Sequence, residues 1–358
     1  MQCGMLILGD HLADPASGLR APAAARYRQM VELGVAAEAL GFDLVSLGEH
    51  HLCDYILSAP PVLLAAIAER TTRIRLGTGV TLLASLDPVR AAEDYASVDL
   101  LSNGRVELVA GRGILRRTYR DFGIDPDESR ARFEEAVELL LAVWSHEVVH
   151  WRGRFRAPLD GVTVQPRPLQ APHPPVWIGG GSSAESVDLA ARLGLPLMLP
   201  SVLAPPEAFR PLVDRYRERF TATLHGVAPR VGAVSHVHVA RDRATARQRW
   251  RPHHLHYLEW VTNELVPWAG ANVGPGDAPM PQHVRFDFEE LCEKGPALCG
   301  GAAEVAERIE ALRDALGLDL HLAMFDHGAL PEPLLRDSLE RYGSDVLPRL
   351  HSGRPREA

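Results

Sequence analysis

Apolar residues in this chain fall into short dense runs, and amphipathic stretches separate them from one end to the other. Cys3 to Leu8 reads as a strand. From Arg26 to Leu40, residues Met30, Leu33, Ala37 and Leu40 lie close to one face of a helix that Gly41 stops. Asp43 to Leu47 is a second strand, and a helix over about Val62 to Glu69 follows Pro60-Pro61. Arg75 to Leu83 is a third strand. Pro88 opens a helix that Asn103-Gly104 ends. Val106 to Ala110 is a strand, and Arg130 to Trp144 is the clearest helix, with one stripe of Phe133, Val137, Leu140, Leu141 and Trp144.

Turn residues between Trp151 and Gln165 predict a small hairpin. Val176 to Ile178, Leu197 to Leu199 and His236 to Ala240 are further strands, with a helix reaching Leu193 between the first two. Val305, Ile309, Leu312 and Leu316 mark a helix ended by Gly317. Leu318 to Phe325 is the last strand, and a final helix runs near Pro333 to Leu347. Eight strands alternating with helices predict a parallel sheet with helical crossovers, and a (β/α)8 TIM barrel with insertions is the favoured form. A doubly wound sheet is the alternative, but no G-x-G-x-x-G follows the first strand. The pattern predicts a single domain over 1–350. The proline-rich region 251–297 breaks the rhythm and reads as a lid or insertion, and 351–358 as a frayed tail.

Composition narrows the class. The chain has 358 residues, 46% of them hydrophobic, and a formal net charge of -8, so a nucleic-acid partner loses weight. No apolar run is long enough for a membrane span. Met1-Gln2-Cys3-Gly4-Met5 opens a strand rather than a signal peptide. Cys3, Cys53, Cys292 and Cys299 form no C-x-x-C pair, as expected of free thiols in the cytoplasm.

In a barrel of this kind, chemistry sits where strands feed the following loops. Those ends read Glu49-His50-His51, Gly77-Thr78-Gly79, Gly111-Arg112-Gly113 and Gly179-Gly180-Gly181-Ser182-Ser183. The last run suits a phosphate, because glycines permit close approach and a helix start presents free N–H groups. Ser182 with Glu185 also reads as a plain capping box. Arg112 suits a phosphate or an anionic ring, or a surface ion pair. His50 can carry a proton, or can be a hydrogen-bonded structural histidine. A metal site is not expected. His236 and His238 alternate on a strand and His253, His254 and His256 cluster, but there is no H-E-x-x-H. The chain also lacks the G-x-S-x-G of a serine hydrolase.

Taken in order, these pieces resemble the bacterial luciferase-like, flavin-dependent monooxygenase family. The matching set runs from Gly41-Phe42-Asp43 and Glu49-His50-His51 through Arg75-Leu76-Gly77-Thr78-Gly79-Val80 to Asp99-Leu100-Leu101-Ser102-Asn103-Gly104-Arg105. It continues with Gly111-Arg112-Gly113, Phe122-Gly123, Gly179 to Ser183 and Gly194-Leu195-Pro196. The resemblance implies a luciferase-like barrel binding FMN, as FMNH2, at its mouth. It implies O2 and a small organic molecule as substrates, a separate NAD(P)H–flavin reductase, and a homodimer. His50 matches the active-site histidine, with Glu49 beside it in an orienting role. Arg112, Arg130, Gly180, Gly181, Ser182, Ser183 and Ser186 match the phosphate region. Thr78, Gly79, Val80 and Gly111 line the flavin, with a cis peptide at Gly79-Val80. Where luciferase has a reactive cysteine, this chain has Gly111, which argues for a different substrate. Trp260 and Trp268 of the 251–297 segment are candidates to close over it. The same barrel also hosts F420-dependent hydride transfer, although the chain, whose only lysine is Lys294, has no lysine cluster for that cofactor's acidic tail. A non-catalytic partner subunit is the remaining alternative.

Overall fold

The computed structural model describes residues 1–180, 183–202, 204, 206–220, 226–265, 267 and 286–352. The strands are β1 (Gln2–Ile7), β2 (Leu44–Leu47), β3 (Arg75–Thr78), β4 (Thr81–Leu82), β5 (Val106–Gly111), β6 (Val149–Trp151), β7 (Leu159–Val162), β8 (Val176–Gly179), β9 (Leu197–Leu199), β10 (Val231–Val239), β11 (Ala297–Gly300) and β12 (Leu320–Met324). The parallel ring runs β1-β2-β3-β5-β8-β9-β10-β12 and closes where β12 pairs with β1, giving the eight-stranded TIM barrel. β6 and β7 form the expected antiparallel hairpin outside it.

Alternation along the strands separates two cores. Met5, Ile7, Val45, Leu47, Leu108, Ile178 and Val237 face the surrounding helices. Leu6, Leu44, Val109, Trp177, Val234, Leu320 and Leu322 fill the barrel interior. Low in the barrel, the Glu107 carboxylate accepts from Trp177 Nε1 at 2.6 Å and from Arg75 Nε at 2.5 Å.

The Asp99-to-Arg105 segment is architectural. Asp99 is fully buried and accepts from the Val106, Leu169 and Gln170 backbone N–H groups. Arg105 donates to the Ala68, Thr71, Ile74 and Ser102 carbonyls, stitching two helix ends to the start of β5.

Three expectations change. The predicted strand Arg75 to Leu83 divides into β3 and β4, with the cis Gly79–Val80 peptide between them. The expected lid begins inside regular structure. Arg243–Trp260 is one helix with Pro252 in its interior, capped by Asp242 accepting from Thr245 N–H at 2.7 Å. The buried stripe Trp250, His254, Tyr257 and Leu258 carries that helix past the proline. Phe288–Glu293 is a short helix and β11 lies at the far end, so only 266 and 268–285, with Trp268, lie outside the described residues. At the C-terminus, helix Leu347–His351 occupies the first position assigned to the tail, while 353–358 lie outside the described residues. Among the described residues no helix is long and apolar enough to cross a membrane.

Candidate active site

At the C-terminal ends of the ring strands the chain leaves a cavity of about 280 Å³. Leu8, Glu49, His50, His51, Val80, Leu82, Gly111, Arg112, Leu115, Gly179, Gly180, Ser186, Val234, Leu322 and Met324 are among its lining residues. Its floor is apolar and its polar groups gather on the β2, β5 and β8 side.

Glycine shapes that side. A Cβ on Gly111 would lie 2.8 Å from Val80 Cβ and 3.1 Å from Val80 Cγ1, and one on Gly179 would lie 2.8 Å from Val80 Cγ1. A Cβ on Gly48 would lie 2.8 Å from the Gly79 carbonyl oxygen. The bare backbone at these positions therefore admits the Gly79–Val80 turn into the ring. Glu49 fixes the same turn: its N–H donates to the Val80 carbonyl at 3.0 Å, and its Oε2 accepts from Leu82 N–H at 2.9 Å. The other carboxylate oxygen holds His51 Nε2 at 2.7 Å. Glu49 and His51 are thus tied to each other and to the framework.

His50 differs. Its ring stacks on Tyr55 at 4.0 Å, and among the described residues its Nδ1 has no hydrogen-bond partner. Burial, reinforced by His51, pushes its pKa down to about 4, against a smaller upward effect of the Gly48 backbone. The ring is neutral at pH 7. Tyr55 is held in turn by Tyr257, hydroxyl to hydroxyl at 2.5 Å, and Trp260 packs edge-on against Tyr55 at 4.8 Å.

Beyond β5 and β8 lies a row of arginine and serine side chains. Arg112 Nη1 donates to Ser129 Oγ at 3.4 Å, and Ser129 opens the helix Ser129–Ser145. Arg130, next on that helix, donates to Ser183 Oγ at 3.2 Å, and Ser183 Oγ is 3.2 Å from Ser186 Oγ. Ser183 caps the helix Ala184–Leu193 by accepting from Ser186 N–H. The cap is therefore Ser183, where the sequence suggested Ser182. Ser182 and Gly181 lie outside the described residues.

Thr78 does not reach this cavity. Its hydroxyl donates to the Val109 carbonyl and accepts from Val109 N–H, completing the pairing of β3 and β5. Sequence reading missed Tyr55 and Tyr257 as the support behind His50; two tyrosines 202 residues apart give no local signal.

The fold and the sequence match a known class. A model of the luciferase-like monooxygenase family covers residues 1–319, and the chain belongs to that family. It is 26% identical over 328 residues to the oxygenase component of the flavin-dependent trigonelline monooxygenase of Acinetobacter baylyi, covering 90% of this chain and 89% of that one. It is 28% identical over 272 residues to an FMNH2-dependent dimethylsulfone monooxygenase of Pseudomonas putida, covering 73% and 70%. Among solved structures, the monooxygenase RslO1 of Streptomyces bottropensis superposes with a TM-score of 0.82 at 28% identity, covering 98% of this chain and all of that one.

Proposed function

We propose that this chain is the oxygenase of a two-component system, using FMNH2 from a separate reductase and O2 to oxygenate a small organic substrate. One observation carries the reading: an apolar cavity is lined by His50 at the end of β2 and by Arg112 and Ser186 beyond β5 and β8, and Ser129, Arg130 and Ser183 stand behind the last two. A flat ring with a phosphate tail fits that arrangement. The glycines at 111 and 179 and the turn at Val80 offer a wall without projecting polar groups. Arg112, Arg130, Ser183 and Ser186 would hold the phosphate. The relatives named above support flavin as the cofactor.

When bound, the reduced flavin supplies the electrons that activate O2. The chain supplies position, dryness and a proton site. Leu8, Leu82, Leu115, Val234, Leu322 and Met324 exclude water from the reacting centre. His50, a neutral imidazole on the cavity wall, takes or returns a proton, while Tyr55 fixes its plane. Glu49 is a positioning residue, committed to His51 and Leu82.

The test is a titration of the purified chain with FMN, FMNH2 and F420, followed by fluorescence and calorimetry. FMNH2 is expected to bind and to support O2-dependent oxygenation of a substrate panel. Binding of F420 alone would replace this reading with hydride transfer on the same barrel.

A further inference from the structure

Near the end of β10, on the same inward face as Val234, lies His236. The helix Arg243–Trp260 brings His254 to it, and the loop after β12 brings His327. The three are 1%, 1% and 0% exposed. One nitrogen of each ring lies within 4.8 Å of the others, and His254 Nδ1 and His327 Nε2 are already 3.0 Å apart. Trp250 stacks on the His254 ring at 4.1 Å, and Tyr257 packs 4.9 Å from His327 and 5.5 Å from His236.

Packing alone leaves this group in deficit. A neutral imidazole carries one donor and one acceptor. Among the described residues neither nitrogen of His236 has a partner, and neither does Nδ1 of His327. Each such buried atom left without a partner is destabilising, whereas phenylalanine or leucine would fill similar space without that cost. Asp326, beside His327 in sequence, is committed to Arg26 at 2.6 Å and offers no relief.

We propose that His236, His254 and His327 bind one divalent transition-metal ion of the imidazole-preferring class, with Zn²⁺ the first choice. Metal–nitrogen bonds of about 2.0–2.1 Å in a tetrahedral site place ligand nitrogens about 3.4 Å apart, so the 3.0 Å pair opens slightly and the remaining ring closes in. The ligands come from a strand, a helix and a loop, so the ion clamps three separate segments. Tyr257 lies between the clamp and Tyr55, so the ion also backs the wall on which His50 stacks.

The experiment uses the full chain without a polyhistidine tag. Elemental analysis after dialysis is expected to find one metal ion per chain. After chelation, added Co²⁺ is expected to produce a tetrahedral ligand-field band, and added Zn²⁺ a higher Tm. His236→Gln and His254→Gln should each lose the band, with circular dichroism reporting their fold. A wild-type chain holding no metal above the blank and giving no Co²⁺ band overturns the site, whatever the variants do. A band that persists in both folded variants overturns it as well. FMN titration of the same metal-free chain keeps this result separate from the cofactor reading.

Discussion

Val80 occupies the space that a side chain at Gly111 would need: Val80 Cβ and Cγ1 lie 2.8 and 3.1 Å from the position of a Cβ there. Because several atoms of a short branched side chain are involved, a rotamer change gives no full relief. Gly111→Ala is expected to destabilise the chain by about 1–3 kcal/mol, the usual cost of overpacking. Gly111→Cys, which restores the luciferase-type residue, should cost at least as much and confer no luciferase-like chemistry. Urea unfolding with FMN titration measures both effects.

His50→Ala should leave the fold intact and lower oxygenation by about 10²–10⁴-fold, the range for loss of a positioned proton carrier. Single-turnover assays with supplied FMNH2 check this. Unchanged turnover would remove His50 from the mechanism.

Arg130 and Ser183 meet at 3.2 Å beside the Ala184–Leu193 helix start. Arg130→Ala should weaken FMN binding by about 10–100-fold, corresponding to one charge-assisted hydrogen bond. Riboflavin, which lacks the phosphate, should bind wild type and variant alike. Equal losses for both ligands would place the phosphate elsewhere.

Glu49→Ala removes the acceptor for Leu82 N–H and for His51 Nε2. Stability is expected to fall by about 1–3 kcal/mol. Glu49→Gln keeps a carbonyl acceptor for one of these donors and should recover much of the loss. Comparing the two variants by urea unfolding separates a framework role from a catalytic one.

Acid sensitivity follows from the buried histidines. Burial pushes His50, His238 and His321 down to about 4, below the ordinary value near 6.5. Below pH 6.5 the unfolded chain binds protons that the folded one refuses, so stability falls with pH until the folded values are reached. Asp10 acts in the opposite sense: burial raises it to about 6, so the folded chain gains from its proton between about 6 and 3.8. One carboxyl does not offset three rings. Urea midpoints should be flat from pH 8 to 7 and drop steeply between 6.5 and 4.5.

Much of the barrel was legible because each ring strand is a compact apolar run set between helix signals. β11 was missed, since Ala297-Leu298-Cys299-Gly300 is short and pairs only with the upper part of β10. The helix Arg243–Trp260 was obscured by Pro252, whose local preference is overridden by the buried Trp250–His254–Tyr257 stripe. The helix Arg210–Arg219 has few apolar residues, only Val213 and Tyr216 being buried, and left no strong stripe. In the site, His50 and Arg112 could be read from strand ends. The pairing of His327 with His254 could not, because the two are 73 residues apart and meet only through the fold.

β10 changes neighbour along its length: Val231 to Ala233 pair with β9, and His236 to Val239 pair with β11. Toward the mouth β10 therefore parts from β9 and takes β11 as its neighbour, so the β9–β10 seam holds only at the lower end. The sector from β2 to β8 is joined by direct strand pairing at every step. Substitutions beside the open seam are expected to reshape what enters the mouth while the β2-to-β8 side keeps its geometry.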